Sequence, residues 1–176
     1  MDYRHQVEDA HKRSAVTDVI ETAKQEVATL SHMASKIEIA GSIRRGKKNP
    51  GDADIVLIPK NEQAKKQILA YAKRHASGNI GVGKSHLSYK TGGVEIEIYF
   101  ADEKCWGAML MYATGPNTYN VIMRQLAKHR NMKLNQYGLF KRDSDAKIAG
   151  ETEEGIYEAL GRNWKEPSRR GFMERR

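Results

Sequence analysis

Gly41-Ser42-Ile43-Arg44-Arg45-Gly46, followed after a four-residue spacer by Gly51-Asp52-Ala53-Asp54-Ile55-Val56-Leu57-Ile58-Pro59, is the stretch around which the whole sequence can be organised. Ile55 to Ile58 is an unbroken apolar run closed by a proline, as expected of a strand buried on both faces and therefore interior to a sheet. Side chains two apart on a strand share a face, so Asp52 and Asp54 offer two carboxylates side by side at its start. Adjacent anions repel, a divalent cation relieves that repulsion, and an all-oxygen donor set suits magnesium. The upstream glycine-serine turn adds backbone N–H groups and a hydroxyl, and Arg44 and Arg45 add fixed positive charge. All of these suit a triphosphate. Asp-x-Asp alone is most often a solvated turn, and it is the Gly-Ser-x-Arg-Arg-Gly partner at this spacing that argues otherwise.

Outward from this centre, residues 7 to 34 repeat Val16, Val19, Ile20, Ala23, Val27 and Leu30 at helical intervals, which predicts a long amphipathic helix. Lys36 to Ala40 alternates like a short strand entering the turn. Asn61 to His75 reads as a helix with Ile68, Leu69 and Ala72 on its apolar side. Two strands, about 80 to 89 and 93 to 100, follow around Thr91-Gly92-Gly93, a hairpin signal. Helical spacing returns at Lys104 to Tyr112. Pro116 suits the first position of another helix, running to about Arg130. Residues 132 to 148 predict a small hairpin, Thr152 caps a last helix over Glu153 to Leu160, and the basic stretch from Arg162 onward reads as a loose tail. The expected class is α+β, with a boundary near Gly115.

Val94-Glu95-Ile96-Glu97-Ile98-Tyr99 alternates apolar and acidic residues, so Glu95 and Glu97 share a face. Beside Asp52 and Asp54, that face would add a third carboxylate able to hold a metal and take a proton from an attacking hydroxyl. On the helix after Gly115, Asn117, Asn120, Arg124 and Lys128 predict one polar face, and Tyr119, Ile122 and Leu126 an apolar one.

These motifs, with Tyr112-Ala113-Thr114-Gly115-Pro116, Leu134-Asn135-Gln136-Tyr137-Gly138-Leu139-Phe140 and Trp164-Lys165-Glu166-Pro167, resemble family X of the DNA polymerases, the polymerase beta-like nucleotidyltransferases. The resemblance implies a nucleotidyltransferase palm with a mixed sheet over residues 1–114 and a small thumb of helices and a hairpin over 115–176. With about forty residues before the Gly-Ser turn, the family's lyase and fingers-type DNA-gripping N-terminal domains are expected to be absent. By the same resemblance Asp52, Asp54 and Glu97 are the catalytic, metal-holding carboxylates. Glu97 lies at the family's spacing of eighteen residues before Gly115, where the family usually has aspartate. Gly41, Ser42 and Arg45, with the Gly51 backbone, would hold the β and γ phosphates. Tyr112 to Gly115 would pack on the sugar, with Ala113 in place of a common aromatic ring. Asn120 would meet the minor-groove edge of the incoming base, and Arg124 and Lys128 the DNA. The implied activity is template-directed addition of deoxynucleotides to a primer 3′-hydroxyl, in short-gap repair of DNA. Two Mg2+ ions, or Mn2+, would be the cofactors, and primer-template or gapped DNA and deoxynucleoside triphosphates the partners.

Competing readings are weaker. Gly78-Asn79-Ile80-Gly81-Val82-Gly83-Lys84-Ser85 spells a phosphate-loop NTPase motif, but a helix precedes it and strands follow, the reverse of the context that motif needs. A nucleotidyltransferase acting on RNA, protein or a small molecule would share the Gly-Ser and Asp-x-Asp motifs but not the Thr-Gly-Pro segment. A catalytically inactive DNA-binding homologue requires Glu97 to fail. The net charge of +8 favours a polyanionic partner. A single cysteine, Cys105, excludes an internal disulfide and fits a reducing compartment. The histidines have no zinc spacing, and no apolar run approaches a membrane span. The expectation is a monomer, cytoplasmic or otherwise intracellular or virus-associated, and not secreted.

Overall fold

The computed structural model describes residues 19–170. Its larger layer is a five-stranded sheet in the order β1-β2-β5-β4-β3, built from β1 (Ala34–Ile39), β2 (Ala53–Pro59), β3 (Gly81–Val82), β4 (His86–Thr91) and β5 (Val94–Phe100). β2 and β5 run parallel and every other pair antiparallel, so the sheet is mixed. The apolar run of β2 does lie between two neighbours, as its lack of alternation requires.

Alternation assigns the two faces. Ala53, Ile55 and Leu57 of β2 and Val94, Ile96, Ile98 and Phe100 of β5 bury against helix α1 (residues 19–30) and α3 (Glu62–His75), which contribute Val19, Ala23, Leu30, Ile68 and Ala72. The opposite face of β2, Val56 and Ile58, packs on Trp106, Met109 and Leu110 of α4 (Trp106–Thr114). Asp54 belongs to that second face by register, as do Glu97 and Tyr99 on β5. The carboxylates therefore stand on the side of the sheet that α4 covers only in part.

Beyond α4 come α5 (Asn117–His129), a three-stranded antiparallel sheet of β6 (Met132–Asn135), β7 (Gly138–Lys141) and β8 (Lys147–Ala149), and α6 (Glu153–Ala159). A separate core of Met123, Ala127, Leu134, Leu139, Ile156 and Tyr157 holds this unit together, and α4 joins it through Ala108 and Met111. α4 is thus shared by both units. Its N-terminal N–H groups at Gly107 and Ala108 donate to the carbonyls of Glu151 and Gly150, which satisfies donors a helix start leaves free. A Cβ at Gly107 would lie 2.1 Å from the Thr152 carbonyl carbon, so only glycine lets α6 dock this closely.

The differences from the sequence expectations have local causes. Residues 7–18 of the expected first helix lie outside the described residues; the helix ends at residue 30, and β1 begins at Ala34 rather than Lys36. The Gly-Ser turn is a single helical turn, α2 (Gly41–Arg44). The expected strand over 80–89 splits at Gly83–Ser85 into β3 and β4. Pro116 caps α5 from outside, with the helix starting at Asn117. The hairpin gains a third strand, β8, which completes the second sheet. On α5 the inward line is Asn120, Met123 and Ala127, while Ile122 faces solvent. The expected polar face (Asn117, Asn120, Arg124, Lys128) and apolar face (Tyr119, Ile122, Leu126) use the same spacings of three and four as the packed line; Tyr119 and Leu126 do pack on the second core, but its centre on this helix is Met123 and Ala127, which leaves Ile122 outside and brings Asn120 in.

Candidate active site

Ala40 N–H donates to the Asp54 carbonyl (2.8 Å), which pins the start of α2 against the start of β2. Gly41 follows with φ +57°, and a Cβ there would fall 1.7 Å from Asp54 Oδ2. The carboxylate thus sits in space that exists only because residue 41 is glycine, which accounts for Gly41 in both conformation and volume. Ser42 is buried beside it, and its hydroxyl has no hydrogen-bond partner among the described residues.

The facing wall comes from the end of α4 and the start of α5. Gly115, at φ +62°, ends α4 by donating to the Met111 carbonyl, and a cis Gly115–Pro116 bond leads into α5. Asn120 Nδ2 donates to the Tyr112 carbonyl (2.8 Å), while its buried Oδ1 has no partner among the described residues. Between the walls lies a cavity of about 460 Å³, with Ser42, Arg45, Asp52 and Asp54 on one side and Tyr112, Ala113, Gly115, Pro116, Asn117 and Asn120 on the other. Buried polar atoms are almost always paired, so two orphaned ones on residues that line one cavity point to a polar ligand there.

Burial, reinforced by the charges of Asp52 and Glu97, pushes the Asp54 carboxyl up to about 7, although a Tyr99 hydrogen bond and Arg45 pull the other way. A site that concentrates negative charge on oxygen donors fits a divalent cation. The β2–β5 register pairs Asp54 with Glu97. Glu97, however, is engaged elsewhere: Tyr99 Oη donates to its Oε2 (2.5 Å) and His86 Nε2 lies 3.4 Å from the same oxygen. It lines a neighbouring cavity of about 300 Å³ with His86, Tyr99, Tyr112 and Gln136. Among the described residues no three acidic, histidine or cysteine side chains converge on one metal-sized point. Asp52 and Asp54 share the main cavity, while the third carboxylate is held next door.

The other expected residues divide in the same way. Gly51 is exposed, with open space beside it. Glu95 is exposed and opposite Lys90. Arg124 and Lys128 are exposed on α5. Arg44 turns away from the cavity. Its Nη1 donates to Thr114 Oγ1 (2.9 Å) and to Glu153 Oε1 (2.9 Å), and its Nη2 to Glu153 Oε2 (3.0 Å). Arg45 Nη1 donates to the Thr114 carbonyl, one of the acceptors a helix end leaves open. The sequence reading missed Tyr99, which its place two residues after Glu97 on the same face could have revealed. It also missed Glu153 and Arg170, for which no local signal exists. The tail expected to be loose is anchored at Arg170, which is 1% exposed, although most of the residues between 161 and 169 are exposed.

A mixed sheet with paired carboxylates at the start of an interior strand, facing a Gly-Ser turn and closed by a second unit, defines a polymerase beta-type nucleotidyltransferase. The family model for the DNA polymerase beta palm matches residues 12–93 and that for the DNA polymerase beta thumb matches 109–171. The chain belongs to this family, family X of the DNA polymerases. Among its relatives, the Repair DNA polymerase X of African swine fever virus isolate Warthog/Namibia/Wart80/1980 is 27% identical over 146 residues, covering 78% of this chain and 83% of the relative. The protein of the same name from the Vero-adapted Badajoz 1971 strain is 29% identical over the same coverage. Among the described residues no helix is long and apolar enough to cross a membrane.

Proposed function

We propose that the protein extends a DNA primer on a template, taking deoxynucleoside triphosphates and filling short gaps during repair. The observation that carries this is the cavity that puts Ser42, Arg45, Asp52 and Asp54 opposite Tyr112, Gly115 and Asn120, with two unpaired buried polar atoms between the walls. In this reading the palm extends to residue 114 and the thumb follows from Gly115.

Ser42 Oγ and Arg45 hold the terminal phosphates, with the Gly41 and Gly51 backbone beside them. Tyr112, Ala113 and Gly115 bear on the sugar, and Asn120 reaches the base edge. Asp52, Asp54 and Glu97 would hold two magnesium ions, which when bound neutralise charge developing on the attacking and leaving oxygens. Glu97 is the carboxylate available to take the proton of the primer hydroxyl. Its release from Tyr99 and His86 is a local side-chain movement. Arg124 and Lys128, exposed on α5, meet phosphates of the duplex, and binding should therefore weaken steeply with salt. The test is magnesium-dependent extension of a labelled primer on gapped DNA by the purified chain. Wild-type extension lost in Asp54→Ala, with DNA binding retained, is expected; no extension by wild type, or extension by the variant at wild-type rate, overturns the reading.

A further inference from the structure

Tyr99 lines both the cavity of Asp52 and Asp54 and the one that holds Glu97, and it shares that position with Tyr112. These two side chains stand where the cavities adjoin. Their rings meet edge to face, with centroids 6.1 Å apart and planes at 77°. A third ring, His86, packs on Tyr99 at 5.1 Å, because His86 and Tyr99 are register partners on β4 and β5. Two ring neighbours from different elements fix the direction in which the Tyr99 hydroxyl points.

That hydroxyl serves two carboxylates. It donates to Glu97 Oε2 at 2.5 Å, and a hydrogen bond to a carboxylate is one of the stronger kind. It also acts on Asp54, where its hydrogen bond favours the charged form. A phenol has a single proton, so the two carboxylates compete for it. His86 Nε2 is 3.4 Å from the same Glu97 oxygen, a longer and weaker contact, which leaves Tyr99 as the principal hold. For Glu97 to turn from its own cavity into that of Asp52 and Asp54, the bond to Tyr99 has to break.

We propose that Tyr99 is a positioning residue that keeps Glu97 in the neighbouring cavity, so that its hydroxyl sets how much divalent cation is needed to bring the third carboxylate into the site. This rests on the function proposed above, in which Glu97 joins Asp52 and Asp54. A ligand that occupies its competent position for only a fraction of the time lowers the apparent affinity of the site by that fraction. Loss of the hydroxyl raises the fraction and tightens binding. Tyr99→Phe removes the hydroxyl and retains the ring that packs on Tyr112 and His86.

The test titrates Mn2+ into the purified chain, following the free ion by electron paramagnetic resonance. It is run above pH 8, where the Asp54 carboxyl, at about 7 in wild type, is charged. Tyr99→Phe should bind Mn2+ about tenfold more tightly than wild type, the worth of one hydrogen bond to a charged group. In the Glu97→Gln background the same substitution should change affinity by less than about twofold, because no third carboxylate is left to release. A substitution that merely loosened the site would weaken binding in both backgrounds. The Mg2+ concentration for half-maximal primer extension should fall in Tyr99→Phe by the same factor as the Mn2+ affinity rises. Unchanged or weaker Mn2+ binding by Tyr99→Phe overturns the proposal, as does equal tightening in the Glu97→Gln background. Tightening by His86→Leu but not by Tyr99→Phe assigns the hold to the histidine and overturns it as well. If wild type binds Mn2+ but extends no primer, the function proposed above fails separately and the titration still decides the role of Tyr99. If wild type binds no Mn2+ in the millimolar range, the carboxylate site is refuted and this proposal with it.

Discussion

Asp54 and Glu97 are register partners on adjacent parallel strands, yet they live in different surroundings. Asp54 is packed against Gly41, in a cavity whose charge and burial raise its proton affinity. Glu97 is about one-third exposed and has two partners of its own in Tyr99 and His86. The longer glutamate side chain accounts for part of the contrast, since it can reach Tyr99 and His86 without strain. Under the proposed function, cation binding would therefore draw on Asp52 and Asp54 in one cavity and on a third carboxylate, Glu97, that must be recruited from the next. The former is sensitive to any change of shape, and the latter to the length and charge of one side chain.

The largest effect should fall on the fixed side. Asp54→Ala is expected to lower primer extension by about a thousandfold or more, as removal of a metal ligand at the reacting centre commonly does. DNA affinity, measured by fluorescence anisotropy, should stay within about twofold of wild type, because in the proposed function Asp54 would serve the nucleotide while duplex phosphates would meet the exposed cations.

On the recruited side, Glu97→Gln should slow single-turnover incorporation by about a hundredfold, since ligand and proton acceptor are lost together. Glu95→Gln, at an exposed side chain opposite Lys90, should matter little. Glu97→Asp sharpens the contrast: it should be slower than wild type if the site is fitted to the longer side chain. A dead Glu95→Gln beside a normal Glu97→Gln would move the third carboxylate by two residues.

A smaller effect distinguishes the two through stability. The Asp54 carboxyl lies above its unfolded value of 3.8, so the folded state binds the extra proton between about 4 and 7. Wild-type stability without divalent ions is therefore greatest at the acid end of that window and declines as pH rises through it. Asp54→Asn cannot titrate and should be more stable than wild type at pH 8 by roughly 1–3 kcal/mol in thermal melts with EDTA, the gain shrinking toward pH 4. Glu97→Gln removes only one of the charges acting on Asp54 and should recover part of that gain. Equal melts at pH 8 would show that burial of Asp54 is not felt.

The smallest effect concerns Ala113, half-buried on the cavity wall where the family commonly has an aromatic ring. Ala113→Phe should increase discrimination against ribonucleotides by about three- to tenfold, the range that added apolar packing provides. A ratio of incorporation efficiencies unchanged from wild type would assign sugar selection to Tyr112 and the backbone alone.

What could be read in the sequence is what depends on near neighbours along the chain. Ile55 to Ile58 declared an interior strand, the order Gly-Ser then Asp-x-Asp placed a turn beside that strand, Thr152 capped α6 through Gly155 as its side-chain chemistry suggests, and alternation put Glu95 and Glu97 on one face of their strand. Each follows from periodicity or local hydrogen bonding. The inward line of α5 was misread because the neighbours of Ile122 and Asn120 are supplied by other elements.

Only the tertiary structure decided which charges meet. Arg44, Thr114, Glu153 and Arg170 are far apart in sequence; Arg44 and Thr114 stand in motifs that draw notice, but nothing local pairs them, and nothing distinguishes Glu153 and Arg170 from solvated polar residues. Burial makes the difference, because a carboxylate and two guanidiniums withdrawn from water must find one another. The same holds for Glu97: strand alternation fixed its face, but the hydroxyl of Tyr99 and the ring of His86, brought beside it by the pairing of β4 with β5, decided which way its carboxylate turns. Side-chain direction along a strand is set by covalent geometry and can be read from order alone, whereas the partner a charged group finds depends on the packing of segments distant in the chain.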